Sequence, residues 1–186
     1  MKKVALILFF LLTSIIGFSQ NQSVSPTNQT IIRLTIIKDN KILMRETGYG
    51  WMTPAIYFKG KQNVHEILDS LSGVYGIKIS PPKLNGLFTY KYEFKPTADF
   101  RQLYTAKYES GDLKLIVGKE KICWMPIEEA LLKLGSTVKS LEGMTKQVLE
   151  YPETIWGGSF VIDKDANWKL TSRVEENFYP LMKNNK

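Results

Sequence analysis

Apolar residues run through this chain in three different rhythms. The first is a block. Val4 to Leu12 is unbroken, and Ile15, Ile16 and Phe18 continue it past Thr13 and Ser14. Lys2 and Lys3 precede the block, and Gly17-Phe18-Ser19 sets small residues at the −3 and −1 positions before Gln20. A basic start, an apolar stretch and a small-x-small end are the parts of a secretory signal peptide. Residues 1–19 therefore read as a cleaved export signal. The block falls short of the ~20 residues that a bilayer-spanning helix requires, so no stable membrane anchor is expected after cleavage. No cysteine follows the site, which argues against a lipid anchor. Residues 20–29 (QNQSVSPTNQ) are polar and aperiodic, and read as a flexible leader. The expected location is secreted or periplasmic.

The second rhythm belongs to strands. Thr30 to Ile37 is β-branched and apolar, Asp39-Asn40 is a turn pair, and Lys41 to Arg45 resumes the apolar character. This predicts a hairpin. Phe88, Tyr90, Tyr92 and Phe94 alternate with polar or small residues, which predicts a strand over Leu87 to Phe94. Leu103 to Tyr108 reads as its partner, and Leu113 to Val117 and Lys121 to Met125 as further strands. Thr154 to Ser172 reads as two strands around the turn Asp163-Lys164-Asp165-Ala166-Asn167. Gly157-Gly158, inside the first of them, predicts a bulge, a close backbone approach or a strand joined to the main sheet. A phosphate-cradling loop would need a helix after it, whereas strand-like Phe160-Val161-Ile162 follows.

The third rhythm, steps of three and four, marks helices. Val64, Ile67, Leu68, Leu71, Val74 and Tyr75 share one face. Asn63 and Glu66 have the spacing of a capping box, and Gly76 can end the helix. Pro126 suits a helix start, with Ile127 to Leu134 continuing to a stop at Gly135. Leu141 to Tyr151 is a third helix, ended by Pro152. Helices and strands mix without strict βαβ alternation, which makes the class α+β.

Composition narrows the chemistry. Beyond the signal, 167 residues suit one domain with a core of its own. Taking Lys2 and Lys3 from 25 basic residues leaves 23 against 18 acidic ones, a mild excess with no basic block. That argues against a nucleic-acid partner. Cys123 is the only cysteine, so disulfides are excluded; inside Ile122-Cys123-Trp124-Met125 it reads as a small buried hydrophobe. His65 is the only histidine, which leaves little for a histidine zinc site or a Ser-His-Asp triad. Among the aromatics, Trp51, Tyr57, Tyr49, Tyr90 and Tyr92 could stack on a ligand ring beside a cleft. Strict period two favours core packing for Tyr90 and Tyr92. Trp51 and Tyr57 stand as the ligand-binding candidates.

The order of these elements resembles the Nudix hydrolase superfamily. A hairpin leads to Trp51 and Pro54, an amphipathic helix closes on Gly76-Ile77, and Trp124, Pro126, Glu129 and Ala130 match a later W-x-P-x-x-E-A helix start. The resemblance covers about Thr30 to Leu134. It implies a Nudix-like domain over residues 30–135, a mixed sheet packed between helices, with residues 136–186 as a β-rich C-terminal extension on the same domain. It also implies a box, G-x5-E-x7-R-E-U-x-E-E-x-G-U, whose glutamates bind the divalent cations that neutralise a diphosphate and activate water. With Gly76-Ile77 as the closing pair, the glutamate positions fall on Ser70, Gly73 and Val74. Glu66 and Asp69 are the only nearby carboxylates that could replace them as metal ligands, and Glu66 is also explained by capping.

The first functional expectation is therefore an exported Nudix-like domain that binds a ligand or partner of the envelope or the extracellular space, without standard Nudix catalysis or a metal cofactor. The alternative is a hydrolase of a diphosphate-linked substrate that uses Mg2+ or Mn2+. A third is an unrelated exported β-rich domain that binds an envelope partner. No catalytic residue is assigned.

Overall fold

The computed structural model describes residues 27–183. The signal peptide expected over residues 1–19 and most of the expected leader lie outside them. The chain runs β1 (Gln29–Lys38), β2 (Lys41–Thr47), β3 (Gly50–Met52), β4 (Ala55–Tyr57), α1 (Val64–Val74), β5 (Ile77–Ile79), β6 (Lys83–Tyr92), β7 (Asp99–Gly111), β8 (Ile116–Val117), β9 (Glu120–Pro126), α2 (Ile127–Thr137), α3 (Lys139–Glu150), β10 (Thr154–Lys164) and β11 (Leu170–Lys183). The strands form one mixed sheet in the order β11-β10-β6-β7-β1-β2-β9-β8, with β3 beside β2, β4 beside β1 and β5 beside β7.

The predicted hairpin is present. Asp39 and Asn40 both take the left-handed conformation, with φ of 47° and 58°, as a tight two-residue turn between twisted strands demands. Yet β1 and β2 pair only at Ile37–Ile42 and Lys38–Lys41. Beyond that they part. The chain from β3 to β4 crosses the opening, and β4 takes up the free edge of β1 from Ile31–Tyr57 to Arg33–Ala55. On its other edge β1 runs parallel to β7 from Gln29–Asp99 to Ile37–Lys107. This pairing brings residues some seventy positions apart in sequence onto neighbouring strands.

Both faces of the sheet are covered. On one, Ile32, Leu34, Ile36 and Leu43 pack with Ile67, Leu68, Leu71 and Tyr75 of α1 and its cap. Burying each such side chain contributes about 1.5–3 kcal/mol, which holds a helix of only eleven residues in place. Its start is fixed as expected: Glu66 N–H donates to Asn63 Oδ1 at 2.9 Å, and Asn63 N–H donates to Glu66 Oε2 at 3.2 Å. On the other face, Ile42, Met44, Phe88, Tyr90, Leu103, Phe160 and Ile162 pack with Leu134, Leu141 and Met144 of α2 and α3. The mixed sheet packed between helices is thus observed.

Several boundaries differ from expectation: the strands expected over Leu87 to Phe94 and Leu103 to Tyr108 run Lys83–Tyr92 and Asp99–Gly111. The strand expected over Leu113 to Val117 is only Ile116–Val117, paired to β9. Gly135 does not stop α2, which continues to Thr137. The atoms nearest to where a Cβ at Gly135 would be all belong to the Glu142 side chain of α3, and its carboxylate end can swing aside. The C-terminal strands run on to Lys183. β10 is hydrogen-bonded in parallel to β6, from Trp156–Gly86 to Ile162–Tyr92, so it belongs to the main sheet. The expected irregularity at Gly157-Gly158 is there as register shifts between β10 and β11. The Tyr179 ring lies over Gly157, 2.6 Å from where a Cβ would be.

Candidate functional site

Where β1 and β2 part, a cleft of about 800 Å³ opens. Its floor is the sheet face that carries Arg33, Arg101, Tyr90, Tyr92 and Asp99, and Thr137 to Leu141 at the α2–α3 junction form one wall. Tyr49, Tyr57, Phe94 and Trp168 stand round the rim. Helix α1 contributes no residue to the lining.

The charge in this cleft is lopsided. Arg33, Arg45, Arg101, Lys95, Lys164 and Lys169 line it, and Asp99 is the one carboxylate among them. Arg33 is only 3% exposed. One nitrogen, Nη1, donates to Thr53 O and Thr53 Oγ1, both at 3.0 Å. Its Nε is buried with no partner. Burial, with Arg101 and Arg45 adding like-charge repulsion, lowers its pKa to about 9. A charged group stripped of water without a counter-ion is costly, and here the cost is carried at the floor of an open cleft. Arg45 reaches Glu120 Oε2 at 3.2 Å.

Asp99 organises the neighbouring groups. It is almost wholly buried. Tyr92 donates its hydroxyl to Asp99 Oδ2. Lys95 Nζ lies 3.0 Å from Asp99 Oδ1, and Arg101 Nη2 lies 3.6 Å from Oδ2. Arg101 also donates to Tyr92 Oη at 3.2 Å. Its guanidinium carbon is 3.7 Å from the centre of the Tyr90 ring, a cation–π contact of about 0.5–2 kcal/mol. Burial pushes both tyrosine hydroxyls above their ordinary pKa, and for Tyr92 the Asp99 carboxylate pushes the same way. Both phenols therefore stay neutral at physiological pH, and Tyr92 acts as a hydrogen-bond donor to Asp99.

On the rim, Lys164 Nζ sits 4.6 Å from the Phe94 ring and 4.4 Å from the Trp168 ring. Trp168 is 76% exposed and has φ of 62°. This left-handed conformation is unfavourable for a residue other than glycine by about 1–2 kcal/mol. The turn imposes it: Asp165 Oδ1 accepts from Asn167 N and Lys169 N, at 2.8 and 3.0 Å.

The sequence-derived candidates are scattered by comparison. Tyr57 lines the cleft, beside Tyr49. Trp51 packs against the core on the α2 side, and its carbonyl accepts from Thr137 Oγ1 at 3.1 Å. Tyr90 is core, as its spacing suggested, and Tyr92 packs partly buried against that core, but both also present surface to the cleft. Glu66 is engaged in the capping box, and Asp69 faces His65 at 3.4 Å on the exposed side of α1. Ser70, Gly73 and Val74 occupy that same exposed side. Among the described residues, no three His, Cys, Asp or Glu side chains gather so as to hold a metal ion. The donor set on α1 therefore does not fit the cation that a Nudix box would carry. A hard divalent ion needs several oxygen ligands, and three of the box positions supply none. Cys123 is half-buried beside the core.

Arg33, Asp99, Arg101 and Trp168 carry no motif and were not singled out by sequence. Arg33 had one available signal: it is a full charge inside an apolar, β-branched run, where a strand buried on both faces leaves it no route to solvent.

No family model matches the chain, and no curated protein matches it. Solved structures do. A Mutator MutT protein from Bacillus halodurans superposes with a TM-score of 0.63 at 16% identity, over 79% of this chain and 97% of that one. A NUDIX hydrolase from Nitrosomonas europaea gives 0.55 at 16% identity, over 66% and 89%. A UDP-X diphosphatase gives 0.51 at 16% identity, over 75% and 71%. Likeness at this identity speaks to architecture alone, and on that ground the chain has a Nudix-like α+β fold.

Proposed function

We propose that this protein is an exported Nudix-fold binding domain whose cleft takes an organic anion carrying a ring, and that it does not perform metal-dependent Nudix hydrolysis. One observation carries the reading. Six cationic side chains line the cleft against a single carboxylate, while the helix that should bring metal-binding glutamates stays out of it. Clefts lined by one sign of charge concentrate ligands of the other sign. Aromatic residues on the rim add flat apolar surface for a ring. Export, read from residues 1–19, places that ligand in the envelope or outside the cell.

A second reading has one specific support. A solved structure of similar fold is a UDP-X diphosphatase, and a cationic, aromatic cleft also suits a diphosphate-linked substrate. The two readings separate in one experiment. Purified mature protein is screened by calorimetry against ring-bearing anions, and in parallel for turnover of nucleoside di- and triphosphates and sugar nucleotides with Mg2+ and Mn2+. Binding without turnover is the expected result. Metal-dependent turnover that Glu66→Gln abolishes defeats the binding reading.

A further inference from the structure

This inference rests on the binding reading above and names the charged group that the cleft takes. We propose that Arg33 and Arg101 together form a receptor for a doubly charged phosphate monoester.

Arg101 is the direct parallel partner of Ile31, so Arg33 lies one pleat further along the adjacent strand, on the same face. Both side chains line the cleft. Each carries a buried Nε–H with no acceptor. A buried donor left unmade costs about 1–3 kcal/mol; Arg45 Nε is in the same state, so three cleft-lining guanidiniums are short of acceptors, and Arg33 and Arg101 are the two that share one sheet face on neighbouring strands. In Arg33 the hydrogen bonds to Thr53 use only Nη1. Its Nε takes no part in them, and a guanidinium makes forked contacts with oxyanions.

Charge then selects among anions. Asp99 is shared between Lys95 and Arg101, and Glu120 belongs to Arg45. Among the described residues, Arg33 forms no ion pair with a carboxylate, whereas Arg45 and Arg101 each do. A monocarboxylate would neutralise one guanidinium and leave the other repelling it. A phosphate monoester brings nearly two charges and three acceptor oxygens in a tetrahedron, enough to bridge both.

Arg33 is faced by Arg101, Arg45, Tyr90 and Thr53. Arg101 is faced by Asp99, Tyr92 and Tyr90. Lys95, Lys164 and Lys169 complete the ionisable lining. The only histidine, His65, sits exposed on α1, away from the cleft.

The test uses the wild-type mature protein and three probes with the same ring: phenyl phosphate, benzenesulfonate and benzoate. At about pH 7.5, phenyl phosphate is expected to bind about tenfold more tightly than either monoanion. Near pH 5 the ester loses its second charge, whose pKa is about 6, and the advantage is expected to fall about tenfold. The benzenesulfonate curve reports any titration of the cleft itself. In parallel, arginine Nε–Hε resonances are followed by NMR; two shifted signals that vanish from the spectra of Arg33→Lys and Arg101→Lys identify the receptor. These variants keep the charge and lose the fork, so phenyl phosphate affinity is expected to drop about tenfold in each. A nucleoside monophosphate and a hexose phosphate, compared at equal charge, tell the two sources of the ester apart, and preference for either supports the site. Equal affinity for all three ring probes, or unmoved Nε–Hε signals, overturns the phosphate receptor while leaving an anion-binding cleft. Binding of none of them overturns both readings.

Discussion

The guanidinium of Arg101 rests on the face of Tyr90 at 3.7 Å, and the Tyr90 hydroxyl is anchored 2.6 Å from Ser140 Oγ at the start of α3. A charged side chain at the cleft floor is thus oriented through an aromatic ring fixed from the helix layer. Tyr90→Phe removes the anchor and keeps the ring; it is expected to cost about 1 kcal/mol of stability and to leave anion affinity within about twofold. Tyr90→Leu also removes the cation–π contact and is expected to weaken anion binding about three- to tenfold. Denaturant unfolding and calorimetry measure the two effects separately, and equal binding by both variants contradicts the role given to the ring.

The exposed side of α1 is expected to tolerate change. A Cβ at Gly73 meets nothing within 4 Å, and its backbone is helical, so Gly73→Ala is expected to stabilise the fold by about 0.5–1 kcal/mol. The double variant Glu66→Gln, Asp69→Asn is expected to bind Mn2+ no differently from the wild type and to lose about 1 kcal/mol or less through the weakened capping box. A clear drop in Mn2+ affinity instead restores a metal role to this helix.

Alkaline pH acts on the buried phenols. Burial raises Tyr75, Tyr90, Tyr92 and Tyr104 above the ordinary value of 10.0. From about pH 10 upward the unfolded chain gives up these protons before the folded one does. The folded state then holds more protons, so stability falls as pH rises. Arg33 opposes this: its pKa of about 9 in the fold lies below 12.5, so its own contribution rises with pH over that window. In a tyrosinate absorbance titration, a late fraction of the nine tyrosines is expected to ionise together with loss of near-UV circular dichroism. Full ionisation with that signal intact contradicts their burial.

Gly157 is expected to be intolerant for a packing reason. The Tyr179 ring occupies the space of its missing Cβ, so Gly157→Ala forces the ring aside at a cost of about 1–3 kcal/mol. Pairing it with Tyr179→Ala is expected to recover part of that loss, and a double-mutant cycle reads the coupling directly. Strict additivity argues against the contact.

Trp168 sets function against local comfort. Trp168→Gly relieves the left-handed backbone and is expected to stabilise the turn by about 1 kcal/mol. The same change removes a rim ring, and the affinity of a ring-bearing anion is expected to fall severalfold. Unchanged affinity removes Trp168 from the site.

Much of the fold is legible in the residues because its signals are local. The Asp39-Asn40 turn, the Asn63–Glu66 box and the apolar face of α1 each lie within a few residues, and each is where its spacing places it, except that Val74, read as part of that face, is exposed. The bare positions Ser70, Gly73 and Val74 are equally visible, since a missing carboxylate is a matter of composition. Gly135 misled because a glycine that ends a helix and a glycine inside one look the same in one dimension. The cleft was not legible. Tyr90 and Tyr92 fit core packing, which they do contribute, and Arg33 reads as one more residue of a strand.

By itself the sequence determined most of the elements, the α+β class, the absence of a disulfide framework and the lack of carboxylates at Ser70, Gly73 and Val74, all properties of composition and short-range spacing. Only the tertiary structure decided where charge collects. The parallel pairing of β1 with β7 sets Arg33 near Arg101 and Asp99, and the parting of β1 from β2 opens the sheet beside them. Long-range strand register has no local code, because it is settled by which apolar faces two helix layers can bury at once, and the electrostatics of the cleft follow from that register.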